Sequence, residues 1–178
     1  LMEGDYFAAS VQALVYKGAK YGSSLKWHQD PINIRRFPAF NMDIYLDNAT
    51  VENGCLYVIP ESHLAGYHGC DPGFIEHWTD GKGVEAEKAV PVEANRGDVI
   101  FHAPSVLHAS GENNTSSSRR TIYYHFDRHE DVKLSKLSGD EWPWWRTKFP
   151  EAQKIMAKAI ELRSGIYPDE TPFPYKHI

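Results

Sequence analysis

The sequence lacks several features that would place it in a class at once. Its 178 residues include two cysteines, too few for the disulfide framework of a small secreted domain. No apolar run approaches the roughly 20 residues of a membrane-spanning helix. The formal net charge is −5, without the basic excess typical of nucleic-acid-binding proteins. We therefore expect a domain with neither nucleic-acid nor membrane partners, and the small number of cysteines favours a cytoplasmic location.

The length of the chain predicts a single domain that is large enough to bury a core. The sequence starts at Leu1 without a signal-peptide pattern, and strand-like residues follow almost immediately. It therefore reads as one domain over 1–178 that lacks its N-terminal part. Residues 6–17 are compatible with a strand or with a short helix, because their periodicity does not distinguish the two.

Short strands separated by glycine and proline account for most of the remaining sequence. Residues 40–47 alternate strictly, which predicts a strand whose second face is either solvated or lines a cavity. The polar positions of that face are Asn41, Asp43, Tyr45 and Asp47. Residues 61–95 form a long irregular segment, which is either a lid or substrate loop or a plain surface loop. Residues 141–178 predict one amphipathic helix, with Pro150 in its first turn, followed by a tail. This order predicts a mainly β fold, a sandwich or jelly roll with a flanking C-terminal α-helix.

The strongest chemical signal is the pair His28 and Asp30, two residues apart. Residues i and i+2 of an extended segment project to the same side, so one imidazole and one carboxylate can face a common point. With a second imidazole they would form the two-histidine, one-carboxylate set that binds non-haem Fe(II) and leaves coordination positions open. The motif alone is weak, because His125 and Asp127, and His129 and Asp131, have the same spacing.

Two histidines compete for the role of the second imidazole. His108 follows an apolar strand and precedes Ala109 and Ser110, whose small side chains leave space beside the ring. His102 lies six residues earlier, and its neighbours fit packing better. We therefore favour His108 as the third ligand.

A dicarboxylate co-substrate of such an iron centre needs a fork-shaped cation, and arginine supplies a bidentate match. Arg119 and Arg120 begin another strand-like segment, and they point to opposite faces if that strand is regular. Arg119 shares its face with polar residues and Arg120 shares the more apolar face. Periodicity does not choose between them.

Taken in order, four motifs resemble the phytanoyl-CoA dioxygenase family of Fe(II)/2-oxoglutarate-dependent oxygenases. The motifs are WHQD at 27–30, NGCLYVIPESH at 53–63, RGDVIF at 96–101 and HASGEN at 108–113, which leads to Arg119. The similarity spans roughly residues 25–127.

This resemblance implies a double-stranded β-helix core with iron ligated by His28, Asp30 and His108. It favours Arg119 as the partner of the distal carboxylate of 2-oxoglutarate, and it assigns Ser110 to the same co-substrate. The implied reaction uses O2 to hydroxylate, or otherwise oxidise, an aliphatic C–H of a small molecule, with release of succinate and CO2. Ascorbate would serve as the reductant in vitro. The alternative is a cupin-like metal-binding jelly roll without this turnover, although the His-x-His motif of cupins is absent.

The sequence departs from the family pattern at two positions. Glu61 stands where relatives commonly have glycine, and Asp43 stands where many have an aromatic residue facing the cavity. The two acidic residues suggest a substrate with a cation or several hydroxyls. The identity of the substrate and the oligomeric state stay open at this point.

Overall fold

Most of the chain is folded into short antiparallel strands. The computed structural model describes residues 7–30, 39–128 and 143–171. Its strands are β1 (Phe7–Lys17), β2 (Leu25–His28), β3 (Phe40–Tyr45), β4 (Leu56–Val58), β5 (Val90–Val92), β6 (Val99–His102), β7 (His108–Ser110) and β8 (Arg119–Arg128). The helical elements are a 3-10 helix (Ser62–Ala65), α1 (Pro72–Thr79) and α2 (Pro143–Ile166).

The strands form two four-stranded sheets, with the order β1-β8-β3-β6 in the major sheet and β2-β7-β4-β5 in the minor sheet. Every strand pair within them is antiparallel. Two such sheets make a jelly-roll arrangement, which confirms the predicted mainly β fold. Residues 7–17 prove to be a strand, because β1 pairs with β8 along its whole length.

The polar face of β3 is the buried face. Asn41, Asp43 and Tyr45 are buried, whereas the apolar residues between them are only partly covered. Strand β8 repeats the pattern, since Arg119 is buried and Arg120 is exposed. The major sheet therefore presents polar side chains to the interior, and the ambiguity left by periodicity is resolved in favour of a cavity.

The main apolar cluster packs against the minor sheet. Trp27 of β2, Tyr57 of β4 and Ala109 of β7 are buried together with Phe74 of α1. Helix α1 is fixed at its start by Asp71, whose carboxylate accepts a hydrogen bond from the Phe74 amide at 2.7 Å. Apolar packing thus supports one side of the minor sheet and leaves its alternate residues, including His28 and His108, for the cavity.

The C-terminal helix is present but longer than expected. It begins at Pro143 rather than near Pro150, which lies inside it, and it ends at Ile166. The predicted amphipathic packing is incomplete, because Ile155 is 66% exposed. Neither helix of the described residues combines the length and apolarity needed to cross a bilayer.

The turn before β4 brings two backbone segments into close contact. Gly54 has φ of +79°, and a Cβ there would collide with the carbonyl oxygen of Gly111. The Gly54→Ala variant should lose about 1–2 kcal/mol through its positive φ and about 1–3 kcal/mol more through overpacking. Urea unfolding measures the loss. The matched control is Gly97→Ala, which also has a positive φ (+95°) but open space around it. Equal losses in the two variants would contradict this explanation.

The departure at Glu61 also has a backbone consequence. Glu61 has φ of +64° at the start of the 3-10 helix, a left-handed conformation that glycine adopts without a steric penalty. Replacing Glu61 with glycine should raise the free energy of unfolding by up to about 1 kcal/mol, as measured by urea unfolding. A loss of stability would show that the Glu61 side chain makes a compensating contribution.

Candidate metal centre

Two imidazoles meet because β2 and β7 are paired in register. His28 is the last residue of β2 and His108 is the first residue of β7, and their Cα atoms are direct partners in the antiparallel ladder. Side chains of directly opposed residues lie on the same face of a sheet. Their ring centroids are accordingly 4.2 Å apart.

The carboxylate of Asp30 completes the cluster from just beyond the end of β2. Its Oδ1 atom lies 3.6 Å from Nε2 of His28, and its Oδ2 atom lies 3.6 Å from Nε2 of His108. The Asp30 amide is held by a 2.9 Å hydrogen bond to the Pro104 carbonyl. One ligand atom from each of the three residues lies within 4.8 Å of the other two, close enough to hold one ion.

The hydrogen bonds of both histidines favour the tautomer that a metal requires. Nδ1 of His28 lies 2.8 Å from the Lys26 carbonyl, and Nδ1 of His108 lies 2.8 Å from the Val106 carbonyl. A carbonyl only accepts, so each Nδ1 carries the hydrogen and donates it. Each neutral ring then presents the lone pair of Nε2 to the centre of the cluster.

A polar network behind the cluster orients Asp30. Its Oδ2 atom accepts hydrogen bonds from Nδ2 of Asn41 at 2.6 Å and from the Tyr123 hydroxyl at 2.9 Å. The Asn41 amide oxygen in turn lies 2.6 Å from Nδ1 of His125. Two donors on Oδ2 leave Oδ1 as the oxygen that is better placed to bind a metal.

Burial opposes the charged form of each of these three groups. It lowers the pKa of His108 to about 4. It would raise the pKa of Asp30, but the interactions of its carboxylate with His28, His108 and Tyr123 outweigh burial and hold that pKa well below its usual range. Burial would likewise lower the pKa of His28, yet the nearby Asp30 carboxylate raises it overall. Around neutral pH the cluster therefore offers a carboxylate and a neutral His108, the forms that bind metals.

A cavity of about 220 Å³ opens from the cluster between the sheets. Its polar lining includes Arg119, which is 4% exposed and donates from Nη1 to the Thr121 hydroxyl at 2.8 Å. The Nε–H of Arg119 has no partner among the described residues. Burial lowers the pKa of Arg119, but a guanidinium stays protonated. The cavity therefore contains a buried cation with unused donor capacity, which a carboxylate would fill.

A sequence model of the phytanoyl-CoA dioxygenase (PhyH) family matches residues 6–121. The chain belongs to this family. It is 30% identical over 125 residues to a phytanoyl-CoA dioxygenase domain-containing protein 1 homolog of Dictyostelium discoideum, covering 63% of this chain and 43% of that protein. The chain spans a third to a half of the length of the first curated relatives it matches.

Solved structures agree with the family assignment. EvdMO1 is 36% identical with a TM-score of 0.57, over 69% of this chain and 28% of that one. EvdO2 of Micromonospora carbonacea var. aurantiaca, solved in complex with 2-oxoglutarate, is 28% identical with a TM-score of 0.52, over 65% of this chain and 49% of that one. These PhyH-type structures share the jelly roll of the present chain.

Within this PhyH fold, the structure separates the competing candidates. It brings His28, Asp30 and His108 together, whereas His102 is outside the cluster, with Nε2 3.5 Å from Oδ2 of Asp43. Arg119 and Ser110 line the cavity. By contrast, Arg120 lies on the outer face in an exposed ion pair with Asp47.

The two other His-x-Asp pairs of the sequence do not join the cluster in the described part of the chain. His125 is buried next to Asn41 and Asp127 rather than in the cluster, and His129 and Asp131 lie outside the described residues.

Among the described residues, no member of segment 61–95 lines the 220 Å³ cavity, and α1 packs at the minor sheet instead. The function of this segment as a lid therefore stays a prediction.

Sequence reasoning missed the residues that support the cluster. Asn41 and Tyr123 contact Asp30 from neighbouring strands of the major sheet. A signal was available, because each shares the polar face of its strand. That face could be assigned to the interior only when the pairing of β3 with β8 was known.

Removing the Asn41 amide should weaken metal binding. The Asn41→Ala variant leaves Asp30 with one fewer donor, and loss of such supporting contacts typically reduces metal affinity about 10- to 100-fold. Titration with Co(II), followed by its visible absorption, measures the affinity. Asn114→Ala, at an exposed position, is the control. Unchanged Co(II) affinity in a folded Asn41→Ala protein would refute the role of Asn41.

Proposed function

We propose that the chain is the catalytic core of an Fe(II)/2-oxoglutarate-dependent dioxygenase that hydroxylates an aliphatic C–H of a small molecule. One observation carries this proposal. The ligand atoms of His28, Asp30 and His108 converge at one end of a cavity that also contains a buried guanidinium with an unused N–H.

The donor set fits Fe(II). Two neutral imidazoles and one carboxylate leave a divalent ion with a net positive charge and several open positions. Among the described residues, the cluster offers three ligands, so those positions face the cavity. An anionic co-substrate that chelates the metal would satisfy both the charge and the open coordination.

The rest of the cavity fits the distal part of 2-oxoglutarate. Arg119 is fixed by Thr121 and can offer its Nε–H and a further N–H to a carboxylate in a bidentate geometry. Ser110 lines the same cavity and could add a hydroxyl. A relative, EvdO2, was solved in complex with 2-oxoglutarate, which supports the same co-substrate here.

Iron(II) bound at this site, together with 2-oxoglutarate and O2, would supply the oxidation, releasing succinate and CO2 as a substrate C–H becomes C–OH. The residues of the chain would bind and orient the reactants. His28, Asp30 and His108 would hold the ion. Arg119 would bind the distal carboxylate of 2-oxoglutarate and so orient the co-substrate. Enclosure between the sheets would limit access of water. The alternative, a metal-binding jelly roll without turnover, gives no reason for the free donor of Arg119.

Anaerobic binding tests this proposal before any substrate is known. The Fe(II)-loaded protein should develop a metal-to-ligand charge-transfer band when 2-oxoglutarate is added. His28→Ala should abolish that band by removing a ligand. Arg119→Ala should weaken 2-oxoglutarate binding about 10- to 100-fold, since a charge-assisted hydrogen bond contributes about 1.5–3 kcal/mol.

Matched variants separate specific effects from general destabilisation. Arg120→Ala removes the adjacent arginine on the outer face and should leave binding unchanged, as should His77→Ala at an exposed position of α1. With ascorbate and O2 present, the wild-type protein should release succinate, and candidate substrates should accelerate the release. If 2-oxoglutarate gives no band, or if Arg119→Ala and Arg120→Ala behave alike, the proposal fails.

A further inference from the structure

A second acidic side chain is buried in the cavity and is incompletely paired. The Asp43 side chain is 9% exposed and lines the same cavity as the candidate metal ligands. Its Oδ1 atom is buried and has no hydrogen-bond partner in the described structure. A buried carboxylate oxygen without a partner is unfavourable by more than a neutral group would be, so this position favours a ligand that supplies a donor.

The neighbour of Asp43 does not remove this requirement. Nε2 of His102 lies 3.5 Å from Oδ2 of Asp43, while its Nδ1 lies 3.3 Å from the Ala103 carbonyl. In a neutral ring only one of these nitrogens donates. When Nδ1 donates to the carbonyl, Nε2 and Asp43 are both acceptors facing each other. In the other tautomer Nε2 donates to Oδ2. In both cases Oδ1 of Asp43 stays without a donor and forms a donor-accepting subsite.

The register of the major sheet gives the location of this subsite. On β3, Asp43 lies between Asn41, which contacts Asp30, and Tyr45, which lines the cavity. Its Cα partner on β8 is Tyr123, another Asp30 contact. A small molecule that contacts Asp43 is therefore close to the candidate metal ligands.

We propose that Asp43 is a specificity-determining residue that selects substrates presenting a protonated amine or a hydroxyl and disfavours those presenting a carboxylate or phosphate. The proposal rests on the proposed function. It follows from charge as well as from hydrogen bonding, because the buried Asp43 carboxylate repels a second anion in a cavity of low dielectric. The carbon skeleton beyond the donor group is left open.

The experiment uses the protein loaded with Zn(II) and 2-oxoglutarate, because the zinc-loaded protein does not turn over. Three sets of small compounds share their carbon skeletons and differ only in ending in an amine, an alcohol or a carboxylate. Ligand-observed NMR measures their dissociation constants. Amines and alcohols should bind, and the matched carboxylates should bind at least about tenfold more weakly.

Two substitutions separate charge from hydrogen bonding. Asp43→Asn keeps an acceptor but loses the charge, so amine affinity should fall about 10- to 100-fold and alcohol affinity should fall less. Asp43→Leu removes both and should abolish both preferences. Asp80→Asn is the matched control, because Asp80 is exposed and its left-handed conformation suits asparagine.

The outcomes are distinguishable from failure of the proposed function. If 2-oxoglutarate does not bind the metal-loaded protein, the proposed function fails. If it binds, but carboxylates bind as well as amines, no compound binds, or Asp43→Asn leaves the preferences unchanged, the assignment of Asp43 is wrong. If Asp43→Asn instead tightens 2-oxoglutarate without altering the preferences, Asp43 faces the co-substrate and the assignment is likewise overturned.

Discussion

The pairing of β2 with β7 is the constraint on which the candidate site depends. These strands put His28 directly opposite His108, and the chain then turns so that Asp30 reaches both rings. Residues that are 80 positions apart in the sequence thereby become neighbours through a backbone ladder. A slip of one residue in this register would send one imidazole to the opposite face of the sheet. The candidate metal site is therefore a direct consequence of sheet register.

The residue between His28 and Asp30, just beyond the end of β2, helps to hold that register. Gln29 is 1% exposed, and its Nε2 donates to the carbonyls of Gly66 and Ser105. Its Oε1 accepts from the amides of His68 and Gly69. An amide side chain with all four of these bonds is fully satisfied, and a buried group of this kind tolerates few alternative positions. It links two loops, the segment 66–69 and the loop that contains Ser105, to the chain between the two ligands, where regular pairing ends.

The sequence predicted which ligand residues come together better than it predicted their surroundings. The spacing of His28 and Asp30 and the similarity to the family were enough to propose the three residues that the structure brings together. Arg119 and Arg120 could not be separated by periodicity, because the interior of this fold is polar where the major sheet faces the cavity. The same inversion left the polar face of β3 undecided. The start of α2 was misplaced because both Pro143 and Pro150 are compatible with a first helical turn, and local pattern does not choose between them.

The central claim is that His28, Asp30 and His108 bind a single iron ion. Anomalous diffraction at the iron absorption edge, from crystals grown anaerobically with Fe(II), measures this directly. We expect one strong anomalous peak, within bonding distance of Nε2 of each histidine and of one Asp30 oxygen. A peak at another location, or saturating Fe(II) without a peak between these three side chains, would contradict it.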